Sequence, residues 1–427
     1  MNAPLIGRAT IAKGEFAMFS SRLSWRSVLG VACLLMAAPA ASVNLQAQGA
    51  DEWAAHAKEN EGNEGLGHLA AALKAFAGPP QGSANEALTE IIREGWRQPH
   101  PEVVEALRQN WEALGEFHKA GGYQDLRLPP ADVANFKSAG TPNFLATQVL
   151  TKLLVARARQ LEAEGQVGQA LDTALRAAWI ASFYMGDEQP ILSRLIGIAC
   201  LHISLQAVED LIRNPAADAE VVRGAGSQLY RIDQRIPGMG SAFMVEAAIG
   251  RAQLPEMHTE MRKKMEAATP EQVEAELAKL PPAQRAMAKE MMNLDSESLL
   301  AGHEKVWRAV LENMDRPYRE RETMDSAWFD RLSPNPIYNM MMPNFLEAGT
   351  RDDAVRARLR ACQAARALRI GNAELAASTK DPFTGDPLKV TETSVYSLGP
   401  DAADQQGQVL YDPTNGTVSA GDVVVGR

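Results

Sequence analysis

Four aspartates, Asp401, Asp404, Asp412 and Asp422, lie in the closing stretch VYSLGPDAADQQGQVLYDPTNGTVSAGDVVVGR, among glycines and almost without positive charge. Carboxylates on short flexible loops suit calcium, which takes roughly six to eight oxygens from side chains and main-chain carbonyls. Leu398 and Gly399 supply carbonyls just ahead of Pro400, whose ring carries no competing N–H. The pattern makes Leu398, Asp401, Asp404 and Asp422 candidate ligands of a calcium ion. The same aspartates also suit plain turns, because Asp folds back onto its own backbone. Residue chemistry alone leaves both readings open.

Other chemistry is thinner. Met257, Met261 and Met265 recur every four residues beside His258, and Met287, Met291 and Met292 follow. Thioethers on one helix face could hold Cu(I), and methionine at that spacing is also ordinary core filler. The seven histidines are scattered, none paired at ligand spacing. No GxSxG, HExxH, Walker loop, Rossmann glycine pattern or CxxC occurs, so the common hydrolase, nucleotide, zinc and thiol-redox signatures are missing. Acidic residues are frequent on the helical stretches, but no pair stands out as an acid/base couple.

The elements that must position these residues are mostly helices. From Asp51 to about Leu368 the apolar spacing is three to four residues. The clearest unit is FLATQVLTKLLVARARQLEAEGQVGQALDTALRAAWIASFYMG. Leu150, Leu153, Leu154, Arg157 and Leu161 trace one face, Gly165 breaks the helix, and Ala170, Leu171, Ala174, Leu175 and Ala178 trace a second. That is an αα-hairpin with small residues at the crossing. A third long helix starts near Pro190 and ends at Asn214-Pro215. Leu154, Leu171, Leu175, Leu195 and Ile198 are expected inside. Thr269, Pro270 and Gln272 form a capping box ahead of a more polar helix. The helix RDDAVRARLRACQAARALRI carries early aspartates and later arginines, an order that suits the helix dipole. After Gly371 the turn residues in DPFTGDPL, GPD, DPTNG and SAGD alternate with β-prone LKVTET, SVYSLG, QVLY and VVVG. The expected fold is mainly α: irregular stacked helix pairs followed by a small C-terminal β module.

Two resemblances bear on this. The hairpin resembles a tetratricopeptide unit, although no 34-residue period follows. The tail resembles the C-terminal segment of the major pseudopilin of type II secretion through Asp381, Pro382, Phe383 and Gly385, then Tyr396, Ser397, Leu398, Gly399 and Asp401, then Asp422 with Val423. In that family this loop binds calcium, so the resemblance implies a β module and a calcium site. It covers some fifty residues and lacks the pseudopilin's long apolar N-terminal helix, so it does not imply polymerisation. Helical body and tail together are similar to a group of exported bacterial helical proteins, a similarity that implies a fold and no activity.

Arg22 and Arg26 precede the apolar VLGVACLLMAAPAA, then small residues, then QGADEW. This is the order of a secretory signal peptide, with cleavage after Ala40 or Ala47. The expected organisation is a signal at 1–47, a helical domain at 48–350, and a long helix plus β module at 351–427. An exported, periplasmic or secreted chain would keep Cys200 and Cys362, which could pair or pack as small apolar residues. With 53 acidic against 43 basic residues, the formal charge of −10 argues against nucleic acid and anionic lipid as partners. No membrane span is expected in the mature chain. The expected role is a non-enzymatic binding or scaffold protein of the envelope, with a protein or peptide partner. The alternatives are an envelope enzyme with helix-borne carboxylates in a cleft, or an accessory to a secretion system.

Overall fold

The computed structural model describes residues 45–59, 62–133, 144–279, 281, 282, 285, 289, 295–332, 345–412 and 420–426. The expected signal therefore lies outside the described residues up to position 44. So do the side chains of Met257, Met261, Met265, Met287, Met291 and Met292. The protein is mainly helical, with a small three-stranded antiparallel sheet near its C-terminus.

An N-terminal group comprises α1 (Leu45–Glu59), α2 (Glu64–Ala75), α3 (Ser83–Glu94), α4 (Pro101–Gln109) and α5 (Trp111–Ala120). Then comes the hairpin of α6 (Phe144–Ala163) and α7 (Val167–Phe183). Its turn is a helix C-cap: Gly165 sits at φ 80°, and the Gln166 N–H reaches back to the Leu161 carbonyl at 2.8 Å. The leucines and alanines expected to face inward on both helices are buried. Next come α8 (Ile191–Arg213) and α9 (Ala219–Arg235). Helix α8 is long and apolar enough to cross a membrane, yet it is a mostly buried core helix. It approaches α7 so closely that a Cβ on Gly197 would stand 2.5 Å from the Met185 side chain, so this crossing requires glycine.

Helices α10 (Gly240–Ala267), α11 (Pro270–Ala278), α12 (Ser296–Met314) and α13 (Ser326–Leu332) form a second group. The capping box is present, with Thr269 N–H on Gln272 Oε1 at 2.9 Å and Gln272 N–H on Thr269 Oγ1 at 3.3 Å. A smaller core of Phe243, Val306, Trp307, Val310, Trp328 and Phe329 lies here. Leu195 packs where this core meets the main one and is only partly buried, unlike Leu154, Leu171, Leu175 and Ile198. The expectation that all five are fully inside is corrected at that one position.

Helix α14 (Phe345–Arg369) packs on α8 and α9. The 350/351 boundary falls within it, and the main core runs from Trp53 through Leu201 and Leu359 to Val395 and Val425. Asp352 and Asp353 are not at its start, as the dipole argument supposed. They lie in its third turn, buried, because the helix begins at Phe345. After α15 (Ala373–Ser378) come β1 (Lys389–Val390), β2 (Val395–Ser397) and β3 (Val423–Val425), ordered β1-β2-β3. Val395 pairs with Val425 and Ser397 with Val423. QVLY forms no strand and contributes a single bridge, Leu410 with Asp422.

Candidate functional site

The tail folds around two aspartates. Asp381 opens the Asp-Pro-Phe turn and is 2% exposed. Its Oδ1 accepts from Phe383 N–H at 2.9 Å and Ser397 Oγ–H at 2.8 Å, and its Oδ2 accepts from Leu398 N–H at 3.1 Å. One carboxylate thus ties the turn to the end of β2. Pro382 leads into Phe383, which meets Tyr318 edge-on with ring centroids 4.7 Å apart.

The segment 398–407 then loops back over β3. Gly399 is held at φ 68°, where a Cβ would lie 2.0 Å from the Gly421 carbonyl oxygen, so only glycine fits. Ala402 and Gln406 also take positive φ, 53° and 57°, each at a cost of roughly 1–2 kcal/mol. This curl turns the acidic loop toward Asp422, which is fully buried. Asp422 Oδ2 accepts from Gly407 N–H at 2.6 Å, while its Oδ1 has no hydrogen-bond partner. Gln405 Oε1 is likewise buried without a donor. Burial pushes the Asp422 carboxyl above the usual carboxylate range against the backbone N–H groups of Gly407 and Gln405, and the nearby Asp404 and Asp401 charges push it the same way.

The four sequence-chosen ligands occupy different environments. Asp401 is exposed, accepting from Ala403 N–H at 3.1 Å and Gln405 Nε2–H at 2.8 Å. Asp404 is exposed, accepting from Tyr396 Oη–H at 3.1 Å and Gln406 N–H at 2.9 Å. The Tyr396 hydroxyl is pushed up to about 12, by burial first and then by Asp404. Leu398 is half-buried and its N–H is taken by Asp381. Only Asp422 faces inward. Asp412 is exposed at the edge of the described stretch. Among the described residues, no three His, Cys, Asp or Glu side chains stand in metal-holding geometry. A cation here would need amide and carbonyl oxygens beside the carboxylates, which is how calcium is ordinarily held. The two donorless oxygens fit that requirement.

Sequence reasoning missed Gln405, whose neutral side chain carries no motif, and the true role of Asp381. It also missed the charges inside the body. Arg194 is fully buried on α8, with Nε on Asp352 Oδ1 at 2.9 Å and Nη2 on the Pro237 carbonyl at 2.5 Å. Arg321 pairs with Asp353 at 2.5 Å, and burial raises that carboxyl to about 6. Arg358 reaches Glu209 at 2.9 Å and His202 at 3.0 Å, while the other Glu209 oxygen takes the Gly426 N–H at 3.0 Å. The sheet's last residues are thereby fastened to α8. The available signals were a lone arginine in the most apolar helix, and Arg356, Arg358 and Arg360 at alternate positions in an alanine-rich one. Cys200 and Cys362 are both free and buried, and burial pushes the Cys200 thiol up to about 11. Compared with family models, curated proteins and solved structures, the chain matches none, so its function is argued from its own residues.

Proposed function

We propose that this chain is an exported binding or scaffold protein of the cell envelope whose C-terminal β module is clamped by a calcium ion. One observation carries the calcium half of the reading: two acceptor oxygens are buried with no donor, Asp422 Oδ1 at the edge of β3 and Gln405 Oε1 in the loop that Asp422 ties down through the Gly407 N–H. A buried acceptor left bare is costly, and a buried carboxylate more so. Asp401 and Asp404 act on Asp422 as like charges. A divalent cation turns that mutual repulsion into attraction. Asp422 and Gln405 would be the inner ligands, with Asp404, Asp401 and the Leu398 carbonyl completing the oxygen set.

The binding half of the reading rests on the helical body. Its inner carboxylates Asp233, Asp352, Asp353 and Glu209 are engaged by arginines, which suits a rigid scaffold. The cleft beside Trp179 counts one acid, Asp187, among its lining residues, where a carboxylate-pair enzyme would place two. The test is thermal melting of the full chain with calcium and after chelation. With a dissociation constant on the order of 10⁻⁴ M, as in extracellular modules, about 10 mM calcium should add roughly 2.7 kcal/mol. Asp422→Asn should abolish that gain. Identical melting with and without calcium would leave the aspartates as turn formers. N-terminal sequencing of the envelope protein tests export, with a start near residue 41 or 48 expected and a chain retaining Trp25 overturning it.

A further inference from the structure

A cleft of about 420 Å³ opens between the end of α7, the α7–α8 turn and the last turn of α9, lined by Trp179, Gly186, Asp187, Tyr230, Arg231, Gln234 and Arg235. Its size is within the range of small-ligand sites. Its chemistry is unusual for a chain of net charge −10. Arg235 lies flat on Phe183, its guanidinium carbon 3.6 Å from the ring centroid, and faces Trp179 at 5.7 Å. Trp179 is fixed in turn, with Nε1–H on the Tyr123 carbonyl at 2.8 Å and its ring edge-on to Phe183. The guanidinium is therefore held in place before any ligand arrives, so little of its freedom is left to lose on binding.

That guanidinium is short of acceptors. Its Nη2 reaches the Leu126 carbonyl at 3.3 Å, and its Nε is buried without a partner. Among the described residues no carboxylate lies within ion-pair distance of Arg127, Arg231 or Arg235. Burial first, and then the like charge of Arg127, draw Arg235 down to about 10, with Asp187 acting against them. A partly desolvated cation repelled by a second cation favours an anionic ligand. The lining also holds a minority of acceptors, the Asp187 carboxylate and the Gln234 amide. Tyr230 at its rim is 59% exposed, an aromatic surface left open.

We propose that this cleft binds the carboxylate end of a peptide, with Arg231 and Arg235 on the carboxylate, Asp187 and Gln234 accepting peptide N–H groups, and Tyr230 covering an apolar side chain. Arginine's planar fork matches a carboxylate in two-point geometry. Asp187 repels a dianionic phosphate, yet it complements a ligand that carries N–H donors next to a single negative charge. The proposal deepens the binding half of the function above and does not depend on the calcium loop.

The test uses the full chain in buffer freed of calcium on a chelating resin, with acetyl-Ala-Phe-Ala bearing a free C-terminal carboxylate as probe, titrated by calorimetry. Saturable binding is expected with a dissociation constant on the order of 10⁻⁴ to 10⁻³ M. The same peptide as its C-terminal amide should bind about tenfold more weakly, the worth of one charge-assisted pair. Arg231→Gln, at an exposed position, should lose about tenfold with unchanged melting. Arg235→Lys, which keeps the charge and loses the fork, should lose a comparable factor. Equal binding of acid and amide, unchanged binding by the Arg231→Gln variant, displacement by equimolar inorganic phosphate, or no saturation at about 10 mM peptide would each overturn the proposal. Added calcium should leave peptide affinity unchanged. Peptide binding and calcium-dependent melting can then fail independently, which separates this proposal from the calcium clamp.

Discussion

The tail holds two buried aspartates forty-one positions apart in sequence, and they differ in one respect. Asp381, at the Asp-Pro-Phe turn, has three donors shared between its two oxygens. Asp422, at the start of β3, has one close hydrogen bond, from the Gly407 N–H to Oδ2, a weaker influence from the Gln405 N–H, and no hydrogen-bond partner on Oδ1. Residue type and burial are nearly the same. The donor count is what separates a carboxylate that closes a turn from one that is short of a partner. A buried acid in a turn-rich segment is thus no sign of a ligand site until its hydrogen bonds have been counted.

The comparison breaks most readily at Asp381. Asp381→Ala leaves three inward-facing donors without an acceptor and should cost about 3–5 kcal/mol, or prevent the module from docking. Urea denaturation of the full chain measures this. A loss under about 1 kcal/mol would mean the turn holds without its carboxylate.

Acid sharpens the comparison by contrasting tail and body. Burial depresses His202 to about 3, with Arg358 adding to the effect, and burial depresses His303 to about 4. Both imidazoles bind a proton more weakly in the folded chain than unfolded. Their contribution is therefore full above about 6.5 and lost as pH falls toward the folded values. Asp353 in the same body, its carboxyl raised to about 6, opposes them over this range, so the net loss should be on the order of 3 kcal/mol between pH 6.5 and 4. Asp422 has the opposite sign. Its carboxyl is raised, so its contribution is present at low pH and is lost as pH rises above the ordinary carboxylate range. Denaturation across this range in calcium-free buffer should show the body weakening on acidification, and His303→Phe should flatten the curve. A wild-type profile flat from pH 7 to 4 would contradict the buried imidazoles.

Smaller effects follow at the acidic loop. In calcium-free buffer at neutral pH, Asp422→Asn removes a buried charge and its repulsion with Asp404 and Asp401, so stability should hold or rise by up to about 1 kcal/mol. A loss of about 2 kcal/mol would show that the carboxylate is already satisfied, as Asp381 is. Asp401→Ala should cost less than about 1 kcal/mol without calcium, because its bonds are made at the surface. The same chemical denaturation measures it, and a larger loss would make Asp401 a structural acid.

The sequence by itself determined the elements. Three-to-four spacing gave the helices, because a helix must bury one stripe, and Gly165 ended α6 because positive φ is cheap only without a Cβ. The capping box at Thr269 and the turn residues after Gly371 were equally local, fixed by groups a few residues apart. Tertiary structure decided the rest. Arg194 lies 158 positions from Asp352, and Glu209 lies 217 from Gly426. No local pattern announces such pairs, since they form only when α8, α14 and the sheet meet. Leu195 has the spacing of a core residue, yet it falls where two cores meet. The same holds for the calcium question. The letters placed Asp401, Asp404 and Asp422 in one stretch, while burial and donor geometry brought forward Asp422 with Gln405 and left Asp401 and Asp404 exposed. Propensity acts over a few residues along the chain, whereas solvation and hydrogen-bond satisfaction depend on whatever the fold brings within a few ångströms.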